Sequence, residues 1–150
     1  MTRGLGIVAE KNAIAYTLLS QDAQDGPVTV IDESELTTPG AHRERGAQLL
    51  WLYAEMRQLL ARIAPDRIVM QKPGAGFSRD RVEVEAIVRL AAAEAGVSVE
   101  MVVNDGVRAR LGGPREPGAF ERMLADPEVA ARSNKARRER YLLAKAALRR

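Results

Sequence analysis

The chain has no cysteine, a single histidine, a single tryptophan and only 4% aromatic residues. Without cysteine it can form no disulfide, no thiolate zinc site and no cysteine nucleophile, a composition that suits a reducing compartment. His42 stands beside Arg43, Glu44 and Arg45; with no second histidine it cannot anchor zinc, and a surface position near a helix start is expected. No Gly-x-Ser-x-Gly occurs, so there is no nucleophile elbow. No apolar run approaches the roughly 18 residues that a membrane span requires. The first residues show no charged-then-apolar leader. A cytoplasmic protein with no membrane partner and no bound cofactor is therefore the expectation, and with few rings to bury, its core must rest on Leu, Ile, Val, Ala and Met.

What is present is an ordinary globular mixture, 46% hydrophobic and 29% charged, over 150 residues. That is enough for one domain spanning residues 1–150, with a real core. The net charge of +3 is unevenly spread. From Arg132 to Arg150 eight basic residues face one acid, Glu139, a local charge of +7, so the remainder of the chain carries −4. A segregated basic segment favours contact with a polyanion. It equally suits a solvated helix end whose cations complement the C-terminal dipole.

Periodicity orders the elements. Gly4–Glu10 is a short apolar run that reads as a buried strand, and Asn12–Ser20 reads as its hairpin partner. Gly26-Pro27 is a turn, followed by a third strand over Val28–Leu36. Between about Ala41 and Ala64 the apolar residues Leu49, Leu52, Tyr53, Met56, Leu59, Leu60 and Ile63 recur at helical spacing. Arg67–Gln71 reads as a central strand. A second helix to about Ala95 is expected from a capping box at Asp80 and Glu83, with Gly96 as its stop. Val97–Val103 is a fifth strand, after which Asn104 or Asp105 would cap a short helix through Leu111. Gly112–Gly118 is a break, and short and long helices are expected near Phe120–Leu124 and from about Asn134, the latter a basic C-terminal helix over 134–150. Three meandering strands followed by alternating helices and parallel strands make an α/β mixed sheet.

With the elements in this order, the chain resembles the ribonuclease-H-like superfamily and, within it, the RuvC-type Holliday-junction resolvases. Gly4-Leu5-Gly6-Ile7-Val8 is similar to that family's opening strand, roughly Leu-Gly-Ile-Asp. Pro65-Asp66-Arg67-Ile68-Val69-Met70-Gln71 is similar to its fourth strand, roughly Pro-Asp-x-x-x-Ile-Glu, and Val99–Arg108 to its fifth strand and the following turn. Asn134-Lys135 matches an Asn-Lys pair that precedes the last helix in small bacterial proteins of this fold.

The resemblance implies a nuclease in which clustered carboxylates hold two Mg²⁺ ions roughly 4 Å apart. Here Val8 stands at the first-strand Asp position and Gln71 at the fourth-strand Glu position. An amide supplies a neutral oxygen and a valine none, so two formal negative charges are missing from the metals' surroundings. Glu10, two residues past Val8 and so on the same sheet face, and Glu139, roughly at the family's C-terminal acid, are the residual acids, with Asp105 a further candidate. Glu10 also reads plainly as an exposed strand-end residue beside Lys11.

Lys72-Pro73-Gly74-Ala75-Gly76-Phe77-Ser78-Arg79 has backbone freedom, two cations and a following helix start. It can cradle a phosphate, or simply connect a strand to a helix. It lacks the Gly-Lys-Ser/Thr ending of a nucleotide loop. Three readings follow. The leading one is a catalytically degenerate domain that binds DNA, RNA or a nucleic-acid-processing partner through Lys72, Arg79, Arg108, Lys135, Arg137 and Arg138. The second is a Mg²⁺- or Mn²⁺-dependent nuclease using Glu10, Glu139 and Asp105. The third is a structural or regulatory homodimer; Trp51 and Tyr53 beside the first helix's stripe suit a core or a subunit interface equally.

Overall fold

The computed structural model describes residues 1–72, 78–132 and 134–149. Strands β1 (Thr2–Ala9), β2 (Ala13–Gln21) and β3 (Val28–Thr37) form an antiparallel meander, and β4 (Arg67–Gln71) and β5 (Ser98–Val102) add parallel strands on the other side of β1. The sheet order is β3-β2-β1-β4-β5. This is the α/β mixed sheet of the ribonuclease-H-like plan, three antiparallel strands and then alternating helices and parallel strands.

Side chains alternate across β1, and the alternation divides the molecule. Leu5, Ile7 and Ala9 point into a core shared with α1 (Arg45–Ile63) and α2 (Arg79–Ala95), whose Leu52, Met56, Leu60, Val84, Val88 and Ala92 are buried there. Trp51 and Tyr53 are half-buried at the margin of this core, and Leu50 beside them is 68% exposed. On the opposite face α6 (Lys135–Ala147) lies across the sheet. Gly4 and Gly6 let it lie there. A Cβ on Gly6 would sit 2.4 Å from the backbone nitrogen of Ala144 and 2.5 Å from the carbonyl oxygen of Arg140, and one on Gly4 2.6 Å from the Ala144 oxygen. Helix and strand backbones approach more closely than a layer of side chains permits.

Several helix ends differ from the sequence expectation. The cap of α2 is Ser78, whose hydroxyl accepts from the Arg81 amide, and not Asp80. The helix starts earlier than the capping-box pattern implied, so Asp80 falls in its first turn, where an acid complements the dipole, and both Asp80 and Glu83 lie beside Arg45. The short helix α3 (Asn104–Arg110) is preceded by Val103 with no side-chain cap, because the Asn104 oxygen accepts from Gln71 and Asp105 from Arg108. After α4 (Ala119–Leu124) comes a one-turn α5 (Pro127–Ala130) that periodicity did not announce; four residues are too few to show a period, though Asp126-Pro127 is a proper cap and first position. The helix expected from about Asn134 is α6, and Asn134 caps it, accepting from the Arg137 amide at 2.9 Å.

One irregularity sits in β3. Leu18 of β2 pairs with Asp32 while Leu19 pairs with Val30, so Ile31 has no partner and bulges. Before the bulge Val28 and Val30 pack on the α6 side of the sheet. After it, Glu33 opposite Thr17 and Glu35 opposite Ala15 take that side.

Candidate nucleic-acid interface at the carboxyl end of the central strands

β1 and β4 run side by side, with Gly6 paired to Val69 and Ile7 to Met70. The next step of this register places Val8 beside Gln71. Val69 belongs to the core under α6 whereas Ile68 and Met70 belong to the other core, so Gln71 shares the α6 face with Val8. The two uncharged residues at the resemblance's metal positions are therefore neighbours in one sheet.

Arginines and glutamates surround them. The Gln71 amide donates to Asn104 at 3.3 Å, and its oxygen accepts from Arg81 Nη2 at 3.3 Å. Arg81 projects from the first turn of α2, and its Nε lies 3.5 Å from the buried Glu85. Arg140 of α6 is buried, and its Nη2 is 3.9 Å from Glu33. Glu33 is also approached by Arg132 at 3.9 Å and Arg137 at 3.8 Å. Just past the end of β1, the Glu10 carboxyl is held above its ordinary pKa by desolvation first, then by the charge and hydrogen bond of Glu35; Arg140 and Arg81 act in the opposite sense. Glu10, Glu35, Arg81 and Arg140 thus form one electrostatic neighbourhood.

Arg45 closes the rim. Its guanidinium donates to the Lys11 carbonyl at 2.9 Å and the Asp80 carbonyl at 2.8 Å, and pairs with Glu83 at 3.4 Å. One side chain thereby ties the β1–β2 turn to the start of both α1 and α2.

The residues marked in the sequence fall into three groups. Glu10 lies in this neighbourhood. Glu139 pairs with Lys135 on its own helix at 3.9 Å; a carboxylate brought beside Glu10 is Glu35. Asp105 is exposed, and Arg108 at 2.8 Å holds its carboxyl below the usual range. Lys72 and Arg79 are exposed and flank residues 73–77; the glycine-rich loop proposed as a phosphate cradle lies outside the described residues. Arg108, expected at a surface, is buried, donating to Asp105 and to the Gly113 carbonyl at 2.7 Å. Its charge closes the end of α3, and is not presented outward. Lys135 is exposed and Arg137 half-exposed, whereas Arg138 donates to the Arg132 and Ala130 carbonyls. His42 is outside the cluster; its carbonyl accepts from Gln48.

Sequence reasoning missed Glu33, Glu35, Arg45, Arg81 and Arg140. For Arg140 a signal existed: it lies four and seven residues before Ala144 and Ala147, on the apolar stripe of α6, which turns it inward. For Glu33 there was none, because its facing depends on the bulge at Ile31.

These residues do not fit a pair of divalent cations. Val8 offers no donor, Gln71 is already bonded to Asn104 and Arg81, and two guanidinium groups stand where a cation would need to be unopposed. Among the described residues no three histidine, aspartate or glutamate side chains converge on one point. No helix among them is long and apolar enough to cross a membrane.

No protein-family model matches the chain, and no curated protein matches it by sequence. Solved structures match it by shape. The RuvC structure of Thermus thermophilus superposes with a TM-score of 0.77 at 14% identity, covering 97% of this chain and 92% of that one. The yeast mitochondrial Holliday junction resolvase gives 0.58 at 13% identity, covering 98% and 79%. The fowlpox virus resolvase, solved with its Holliday junction DNA substrate, gives 0.57 at 12%, covering 96% and 97%. With the strand order, the α6 packing and these superpositions together, the chain has the ribonuclease-H-like fold in its RuvC-type resolvase form.

Proposed function

We propose that the chain is a nucleic-acid-binding domain that keeps the resolvase fold and has given up metal-dependent cleavage. One observation carries this reading: Val8 and Gln71 occupy adjoining register positions, and a guanidinium, not a metal ligand, satisfies the Gln71 oxygen. A fixed positive charge there opposes a divalent ion and favours a phosphodiester. The T. thermophilus and fowlpox structures with Holliday junctions make branched DNA the first substrate to try. A reducing cytoplasmic setting accords with the lack of cysteine.

Fluorescence anisotropy with a labelled four-way junction, a duplex, a single strand and RNA, run across KCl concentrations, tests the binding. Affinity that falls steeply with salt is expected. Absence of binding to every probe at low salt refutes the reading. The same probes incubated with Mn²⁺ or Mg²⁺ should stay intact. Cleavage abolished by each of Glu10→Gln, Glu139→Gln and Asp105→Asn would instead support the nuclease that uses those three acids.

A second reading, a homodimer through the outer face of α1, rests on Leu50, a large apolar residue standing 68% exposed beside the half-buried Trp51. Light scattering on a sizing column decides it: a dimer mass that Leu50→Lys converts to a monomer supports it, and a monomeric parent chain removes it.

A further inference from the structure

Three guanidinium groups from the basic end of the chain surround a single carboxylate. Arg132, Arg137 and Arg140 lie 3.9, 3.8 and 3.9 Å from Glu33. All three separations exceed the roughly 2.7–2.9 Å of a charge-assisted hydrogen bond. Arg140 is only 7% exposed. Its Nε, the Nε of Arg132, the Oε1 of Glu33 and the hydroxyl of Thr17, which is Glu33's partner across the sheet, all lack a hydrogen-bond partner. Buried polar atoms are ordinarily satisfied. An unserved carboxylate oxygen beside three other orphans marks a place where the charges stand close without bonding, so its donors are open to another acceptor.

The charge balance points the same way. Glu33 answers one of three positive charges. The next acids on this face, Glu10 and Glu35, adjoin each other, and Glu10 lies in the field of Arg140 and of the further cation Arg81. Arg132 is answered by Glu128 as well, so it is Arg137, paired among the described residues with Glu33 alone, that has charge to spare. Both are also reachable, since Arg137 is 49% exposed and Arg132 28% exposed at the side chain.

We propose that Arg132 and Arg137 form a seat for a phosphoryl group, and that Glu33, anchored by Arg140, acts beside it as a built-in anion that an incoming phosphate displaces from them. Guanidinium forks match the spacing of phosphate oxygens, and a phosphate brings the acceptors that the orphaned donors lack. Arg140, held deep against the sheet, stays with Glu33 and positions it. The inference rests on the nucleic-acid reading in so far as it says where one backbone phosphate sits; a phosphate group of a small molecule has the same chemistry.

Two variants and two probes separate these outcomes. Labelled junction DNA is titrated across KCl with the parent chain, Glu33→Gln and Arg137→Ala, and each protein's melting temperature is recorded with and without inorganic pyrophosphate. Glu33→Gln should bind DNA about tenfold more tightly at low salt, because the competing anion is gone. Arg137→Ala should bind about fivefold more weakly, with the slope of log affinity against log salt shallower by about one. Pyrophosphate should raise the melting temperature of the parent chain and, more strongly, of Glu33→Gln, but not of Arg137→Ala. If DNA binds and both variants keep the parent affinity and slope, the seat is overturned while the binding reading stands. Pyrophosphate stabilisation that depends on Arg137, without any DNA binding, keeps the seat and refutes the nucleic-acid reading. Weaker binding by a folded Glu33→Gln would show that Glu33 builds the seat and does not compete for it, and overturns the displacement. Should Glu33→Gln not fold, Arg137→Ala decides alone, since its side chain is half in solvent.

Discussion

The two faces of the sheet are built on different principles. Under α1 and α2 the contact is a thick apolar layer in which Leu5, Ile7, Leu52, Met56 and Val88 interdigitate. Under α6 the helix rests on bare backbone at Gly4 and Gly6 and then, half a strand further on, meets a group of arginines and glutamates. The first face can lose volume and partly recover, because neighbouring side chains relax. The second has no slack at the glycines and no apolar fallback beside them. Stability therefore belongs chiefly to one side and the clustered charge to the other.

Adding volume at the close contact is the most direct way to break this division. Gly6→Val, whose Cβ would press on the backbone of Ala144 and Arg140, should cost about 4 kcal/mol or more in urea unfolding, since helix and strand must separate. Gly40→Ala, with nothing within 4 Å of the added carbon, is the control and should be nearly silent. Removing volume on the opposite face comes next. Met56→Ala should cost about 3 kcal/mol by the same measurement, the transfer term plus a partly collapsed cavity, and leave DNA affinity unaltered. A result in which Met56→Ala changed binding and Gly6→Val did not disturb folding would reverse the comparison.

The smallest expected effect sharpens it. Because the Glu10 carboxyl is held above its ordinary pKa in the fold by desolvation and Glu35, the folded chain retains that proton more readily than the unfolded chain. The associated stability is full below the unfolded value and is lost as pH rises through the folded value. Glu10→Gln removes this dependence. Since the group is largely exposed, its melting temperature should exceed the parent's by only about 1–2 °C at neutral pH, with the difference gone near pH 4. An equal gain at both pH values would show that charge is not the cause.

Most of the fold was legible because its elements are periodic and its punctuation is strong. Leu52, Met56, Leu59, Leu60 and Ile63 form an unmistakable helical stripe, Gly96 takes a left-handed φ of 73° to end α2, and β4 occupies Arg67–Gln71 as read. Placing Val8 beside Gln71 needed only the order of strands. The charged cluster was not legible in the same way. Arg140 was counted in a basic tail, where it looked like one cation among eight, although its spacing from Ala144 sets it inside. Arg81 and Arg45 act across three elements at once, and no local pattern reports a contact of that kind. Arg108 misled for a related reason: sequence shows a positive charge but not which carbonyl it is spent on.

The unpaired Ile31 acts as a frame shift in the strand's alternation. Were the strand regular through Ile31, with Ile31 opposite Leu18, Asp32 and Ser34 would follow Val30 onto the helix side, and Glu33 and Glu35 would turn away from the arginines. Tyr16, which now donates to Asp32 across the other face at 2.9 Å, would lose its acceptor in the same stroke. One unpaired aliphatic residue therefore decides which acids the basic helix meets; the electrostatics of the whole face are spelled by the reading frame of an edge strand.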